Sequence, residues 1–165
     1  MKVIGIDPGT AIVGWSYLEF DESGDAIKDS LEYGAITTDA GLEMPDRLVI
    51  ISEELVEIID KFSPSVVGVE DLFFSKNVKT AITVAQARGV ILQVARSKGM
   101  EVIEMTPPQV KEFVTGYGNA GKAQVQASVK MLLGLEEIPK PDDAADAVAV
   151  AMCAAQMSRV KGRLG

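Results

Sequence analysis

The sequence predicts an α/β fold with a mixed sheet, and three observations carry that prediction. The first 38 residues alternate short apolar runs with turn signals, the pattern of an antiparallel meander. Two further apolar runs, at 65–70 and 101–105, each follow a segment of helical periodicity, as parallel strands reached through crossovers do. From 107 onward the chain reads as helix and loop alone.

The elements follow in order. Strands are expected at 2–7, at 11–19 with Trp15 and Tyr17, and at 27–37; Pro8-Gly9 and the polar stretch DESGD separate them. From Met44 to Phe62 the positions Leu48, Ile51, Leu55, Ile58, Ile59 and Phe62 recur at spacings of three and four, which predicts an amphipathic helix ending before Pro64. SVVGVE at 65–70 is continuously apolar until its final glutamate and reads as a strand buried on both faces. A helix at 77–98 stops at Gly99, a strand follows at 101–105, and a short helix runs from Pro107 to Val114. The loop TGYGNAGK leads to a helix at 122–133, and a segment with Pro139 and Pro141 leads to a last helix at 142–157. Residues 1–158 are expected to form one domain, with 159–165 a frayed tail.

Composition narrows the chemistry. A chain of 165 residues, 47% hydrophobic, is long enough for one core; a domain of that size buries roughly 70% of its unfolded surface. No apolar run approaches the ~20 residues a membrane span needs, and no signal peptide is expected, because the chain enters a strand at once. The single cysteine, Cys153, excludes an internal disulfide framework, suits a reducing cytoplasm and reads as a core residue. Histidine is absent, which removes Ser-His-Asp and Cys-His catalysis and His-ligated zinc. Carboxylates, lysines, hydroxyls or a metal must do any chemistry.

The net charge of −8 is unevenly spread: residues 1–71 carry −12, residues 72–130 carry +5 and residues 131–165 carry −1. The basic middle third is the footprint expected of a polyanion partner.

Two strands end in carboxylates. Asp7 closes the first apolar run and is followed by Pro8-Gly9, ordinary turn chemistry in which Pro8 fixes φ and Gly9 tolerates a positive one; Glu70 closes SVVGVE. A buried unpaired carboxylate costs several kcal/mol, roughly, unless it is paired or coordinates a metal. If the two strands lie side by side and parallel, both acids emerge at the sheet edge where open α/β sheets place ligands. The last helix adds Asp143 and Asp146, three apart and so on one face, followed by the small residues Ala147 and Ala151, which would let it press closely on the sheet. Asp142 is expected to serve only the helix end. Four convergent carboxylates repel one another without a cation, and hard oxygen donors select Mg²⁺ or Mn²⁺. Two such ions can activate water for phosphodiester hydrolysis.

GIDPGT, VEDLFFSKN with AQARGV, TPPQVKEFVTGYG with GKAQVQ, and DDAADAVAVA, taken in this order from residue 2 to about 157, resemble the RuvC family of Holliday-junction resolvases. The resemblance implies a ribonuclease H-like fold with a five-stranded mixed sheet and helices on both faces. It implies a homodimer that makes paired incisions in four-way DNA junctions in recombination and repair, with two Mg²⁺ ions (Mn²⁺ a possible substitute) and the branch-migration proteins RuvA and RuvB as partners. Asp7, Glu70, Asp143 and Asp146 would be the catalytic, metal-binding acids. Lys76, Lys79, Arg88, Lys111 and Lys122 would contact phosphates, and Phe73 or Phe74 would insert at the junction centre. Gly116, Gly118 and Gly121 would let backbone N–H groups approach a phosphate. The apolar face of the helix at 77–98 is the candidate dimer interface. Rival readings are a ribonuclease H-like nuclease acting on structured RNA, a non-catalytic junction binder, and an ATPase of the sugar kinase, actin and Hsp70 type, whose phosphate turn GIDPGT also resembles. The last needs two such domains.

Overall fold

The computed structural model describes residues 1–72 and 78–164; Phe73, Phe74 and Lys76 lie outside the described residues. The elements are β1 (Lys2–Asp7), β2 (Ile12–Phe20), β3 (Ala26–Thr37), α1 (Met44–Phe62), β4 (Val66–Glu70), α2 (Val78–Ser97), β5 (Glu101–Met105), α3 (Pro107–Thr115), α4 (Lys122–Leu132) and α5 (Asp142–Leu164). The strands form one sheet in the order β3-β2-β1-β4-β5. β1 pairs antiparallel with β2 and parallel with β4, β2 pairs antiparallel with β3, and β4 pairs parallel with β5. The predicted meander and crossovers are both present.

Strand alternation divides the core between the two faces of the sheet. On one face Ile4, Ile6, Val67 and Val69 pack under α1 and α2, whose Ile51, Leu55, Ala87, Ile91 and Val94 are buried with them. On the other, Val3, Leu18, Val66 and Ile103 lie under α5, with Val110 and Val114 of α3 and Val125 and Val129 of α4 alongside. Cys153 is buried in this second cluster, and burial pushes its thiol up to about 11, which keeps it inert. Among the described residues no helix is long and apolar enough to cross a membrane.

Two expectations need correction. α5 continues to Leu164 rather than ending near Met157, so residues 159–164 are helical. Long-range polar contacts hold that extension: Ser158 Oγ donates to Glu101 at 2.7 Å, Lys161 pairs with Glu101 at 3.1 Å, and Arg159 donates to the Glu22 carbonyl at 3.3 Å. Lys161 and Arg163 also complement the negative end of the helix dipole. Gly9, which would tolerate a positive φ, does not adopt one. It is needed for space, since a Cβ there would stand 2.0 Å from the Ile12 carbonyl oxygen. Finally, the apolar face of α2 faces the core; its outward stripe is Ile82, Ala85, Gly89 and Gln93.

Candidate active site

The register of the sheet brings the two strand-end acids together. β1 and β4 run parallel with Gly5 beside Gly68 and Ile6 beside Val69, so Asp7 and Glu70 stand next along adjacent strands and point to the α5 face. α5 reaches them because the strands beneath it carry almost no side chain. A Cβ on Gly5 would sit 2.1 Å from the Ala147 carbonyl oxygen, one on Gly68 would sit 2.5 Å from Ala154 Cβ, and one on Gly14 would sit 2.1 Å from the Asp143 carbonyl oxygen. Gly14 is the β2 partner of Asp7, so the first turn of α5 rests directly beside that acid. Ser16, a fully buried polar residue, donates to the Ala147 carbonyl at 2.9 Å and fixes the helix along its track. The expected small residues Ala147 and Ala151 are the helix half of this contact; Gly5, Gly14 and Gly68 are the sheet half.

The electrostatics follow from that crowding. Burial, then the negative charges of Glu70, Asp146 and Asp143, push Asp7 up to about 8. Burial and Asp146 push Glu70 up to about 7, against the pull of Lys111 and Lys122. Asp146 is also raised, chiefly by burial. Lys122 supplies the opposing charge, with its Nζ 3.0 Å from Asp146 and 3.9 Å from Asp142. Asp142 is exposed and pairs with Lys140 at 3.4 Å, in keeping with a role at the helix end. Among the described residues no three acids are drawn up tightly enough to hold an ion as they stand. The donor set nevertheless fits a hard divalent cation, because oxygen ligands alone converge and the charged forms of Asp7, Glu70 and Asp146 are disfavoured until positive charge is added.

Two clefts meet at Glu70. One, of about 260 Å³, is lined by Glu70, Asp146, Lys111 and Lys122 with Val110 and Val125 as an apolar wall. The second, of about 200 Å³, runs past Asp7, Pro8 and Asp71 to Thr80 at the start of α2. Local chemistry aims both lysines. Thr106 and Gln109 cap α3, Gln109 Oε1 accepting from the Thr106 N–H at 2.8 Å, and so set the helix that carries Lys111. Gln124 Oε1 accepts from the Gly121 N–H at 2.8 Å, immediately before Lys122. Gly116 sits at φ 75° as the C-cap of α3, so both of these loop glycines have a structural duty as helix ends. Lys79 is exposed on the first turn of α2, beside the second cleft. Arg88 has a different setting: only 14% of its side chain is exposed, and it is paired with Asp71 and Glu104.

A ribonuclease H-like sheet with acids at the ends of its parallel strands is the architecture of a phosphodiester-cleaving enzyme. The family model for crossover junction endodeoxyribonuclease RuvC matches residues 3–154. The RuvC protein of Finegoldia magna is 56% identical over 153 residues, covering 93% of this chain and 92% of that one; the RuvC protein of Halothermothrix orenii is 49% identical over 165 residues, covering 100% and 98%. The solved structure of Thermus thermophilus RuvC superposes with a TM-score of 0.86 at 31% identity over 98% of this chain and 97% of its own. Its complex with a Holliday junction substrate superposes at 0.85, with 30% identity over 97% and 96%. The chain belongs to the RuvC family of crossover junction endodeoxyribonucleases. Nucleases of this family depend on divalent metal ions.

Proposed function

We infer that the chain resolves four-way DNA junctions by paired, symmetric incisions, and that Asp7, Glu70, Asp143 and Asp146 form its catalytic centre. The observation that carries the assignment of the centre is the convergence of two parallel strand ends and one helix turn on a single patch of mutually repelling carboxylates. These acids would hold two Mg²⁺ ions, with Mn²⁺ a possible substitute. When bound, such ions supply an activated water and neutralise charge on the scissile phosphate. The chain's own groups do the rest. Lys111 and Lys122 draw a phosphate to the cleft beside Glu70, and the apolar wall of Val110 and Val125 limits water around it. Lys79 holds the backbone of an arm beyond the second cleft. The sequence supports Lys76 as a further phosphate contact and Phe73 or Phe74 as the residue that stacks at the junction centre.

One chain carries one acid cluster and a junction needs two cuts, so the working form is a two-fold homodimer. The outward stripe of α2, with Ile82 56% exposed and Gly89 leaving open space, is the face we assign to the dimer. RuvA and RuvB are its partners in branch migration, the cytoplasm is its compartment, and residues 1–158 with the continuation of α5 to Leu164 form its one nuclease domain. The test is incubation of the purified protein and Mg²⁺ with a mobile four-way junction. Symmetric nicked duplexes are expected. Cleavage of structured RNA in preference to the junction would contradict the reading.

A further inference from the structure

Arg88 leaves α2 and crosses to the end of β4. Its Nε donates to the carbonyl of Glu70 at 3.2 Å, and its Nη2 pairs with Asp71 at 3.2 Å and with Glu104 of β5. Asp71 and Glu104 are about half exposed, whereas the Arg88 side chain is largely covered. Its donors therefore face protein acceptors on three residues, and a phosphate would have to displace them. The strand end is tied down from a second side, since the Asp71 N–H donates to the Met105 carbonyl at 2.7 Å.

We propose that Arg88 is a positioning residue that aims Glu70. Its guanidinium grips the Glu70 carbonyl and holds the neighbouring carboxylate of Asp71 toward α2, so that of the two consecutive acids at the end of β4 it is Glu70 that faces Asp7. The planar fork matters because a single rigid group serves three acceptors at once; an ammonium keeps the charge and loses the geometry. Groups that orient a metal-binding side chain typically change activity by about 10- to 100-fold when removed, and a displacement of ~1 Å at a reacting centre has a similar cost. The inference rests on the proposal that Glu70 belongs to the catalytic centre.

The experiment compares Arg88→Gln, Arg88→Lys and Glu70→Gln in full-length protein, measuring junction affinity without divalent metal, single-turnover cleavage at saturating junction, the Mg²⁺ midpoint and the melting temperature. Arg88→Gln is expected to cleave about 10- to 100-fold more slowly, with affinity within about twofold of wild type and a higher Mg²⁺ midpoint. Arg88→Lys should fall between the two, and Asp71→Asn added to Arg88→Gln should recover part of the rate by removing the released carboxylate. A weakened affinity with an unchanged rate at saturation would overturn the proposal in favour of a phosphate contact. A rate loss matched by the unfolded fraction, with an unmoved Mg²⁺ midpoint in both Arg88 variants, would reduce Arg88 to a fold-stabilising ion pair. Glu70→Gln separates this inference from the reading beneath it. Full cleavage by Glu70→Gln would remove Glu70 from the catalytic centre and this inference with it, whereas an inactive Glu70→Gln beside a fully active Arg88→Gln would overturn this inference alone.

Discussion

The two faces of the sheet are packed by opposite rules. Under α1 and α2 lie large branched side chains, Ile4, Ile6, Val67 and Val69, interdigitating with Ile51, Leu55 and Ile91. Under α5, besides Val3, Leu18 and Val66, lie Gly5, Gly14, Ser16 and Gly68 where the helix comes closest, and the helix answers with Ala147, Ala151 and Ala154. The large-residue face buries more apolar surface per position and serves mainly stability. The small-residue face gives up that burial to bring the helix backbone against the sheet, and this approach is what sets Asp143 and Asp146 beside Asp7 and Glu70. Mutations on the two faces should therefore differ in kind: one face should lose stability while the folded fraction stays active, and the other should lose activity first.

The largest effect is expected at the acids themselves. Asp7→Asn, Glu70→Gln and Asp146→Asn should each lower junction cleavage by about 10²-fold or more, because each removes stabilisation of charge that develops during the reaction. Gel-shift affinity without metal should be retained. Near wild-type cleavage in any one of them would remove that residue from the centre.

Next come the glycines. Gly5→Ala places a Cβ 2.1 Å from the backbone oxygen of Ala147 and 2.4 Å from the Ala151 nitrogen, so α5 must lift. Overpacking of this kind costs about 1–3 kcal/mol or more, and single-turnover cleavage by the folded protein should fall with it. The matched change on the other face, Ile51→Ala, should cost about 2–5 kcal/mol and leave cleavage by the folded fraction intact. Equal losses of specific activity in the two variants would erase the distinction between the faces.

A third expectation concerns pH. The folded-state values of Asp7 and Glu70, about 8 and about 7, lie above the ordinary values of 3.8 and 4.5. The fold therefore binds protons more tightly than the unfolded chain does. Without divalent metal, their contribution to stability is complete below pH ~4 and is lost as pH rises through the folded-state values near 7 and 8. Asp7→Asn should melt higher than wild type in chelator at pH 8 and should flatten that decline. A wild-type protein whose metal-free stability rises steadily from pH 5 to 8, with Asp7→Asn following in parallel, would contradict it.

The smallest effect is expected at Ser16. Ser16→Ala removes one buried hydrogen bond to the α5 backbone, worth about 1 kcal/mol, and leaves the Ala147 carbonyl its helical partner. Denaturant midpoints should show that modest loss, and single-turnover cleavage by the folded protein should fall with it, by less than in Gly5→Ala, because the helix loses one tether and is not lifted.

Much of this was legible in the sequence, for identifiable reasons. The order of strands and helices follows from apolar period, and both strand-end acids stand out because a carboxylate closing an apolar run needs a cause. Ala147 and Ala151 announced close packing. Gly5, Gly14 and Gly68 carry the same signal from the strands, since glycine inside a strand often marks a close approach of backbones. What the sequence concealed depends on residues far apart in the chain. The length of α5 rests on Glu22 and Glu101, and the setting of Arg88 rests on Asp71 and Glu104; no local pattern records such pairings. The resemblance implied a phosphate contact at Arg88; the structure adds that its guanidinium already has partners in Glu70, Asp71 and Glu104.

The central claim is that the acids gathered on the small-residue face hold divalent metal. Thermal unfolding of wild type and Asp7→Asn at pH 8, each with chelator and with increasing Mg²⁺, tests it most directly. Mg²⁺ should raise the wild-type melting temperature in a saturable way and move Asp7→Asn far less, even though Asp7→Asn starts higher. Equal, saturable Mg²⁺ shifts in the two proteins, or none in the wild type at Mg²⁺ concentrations that support cleavage, would place the ion somewhere other than this cluster.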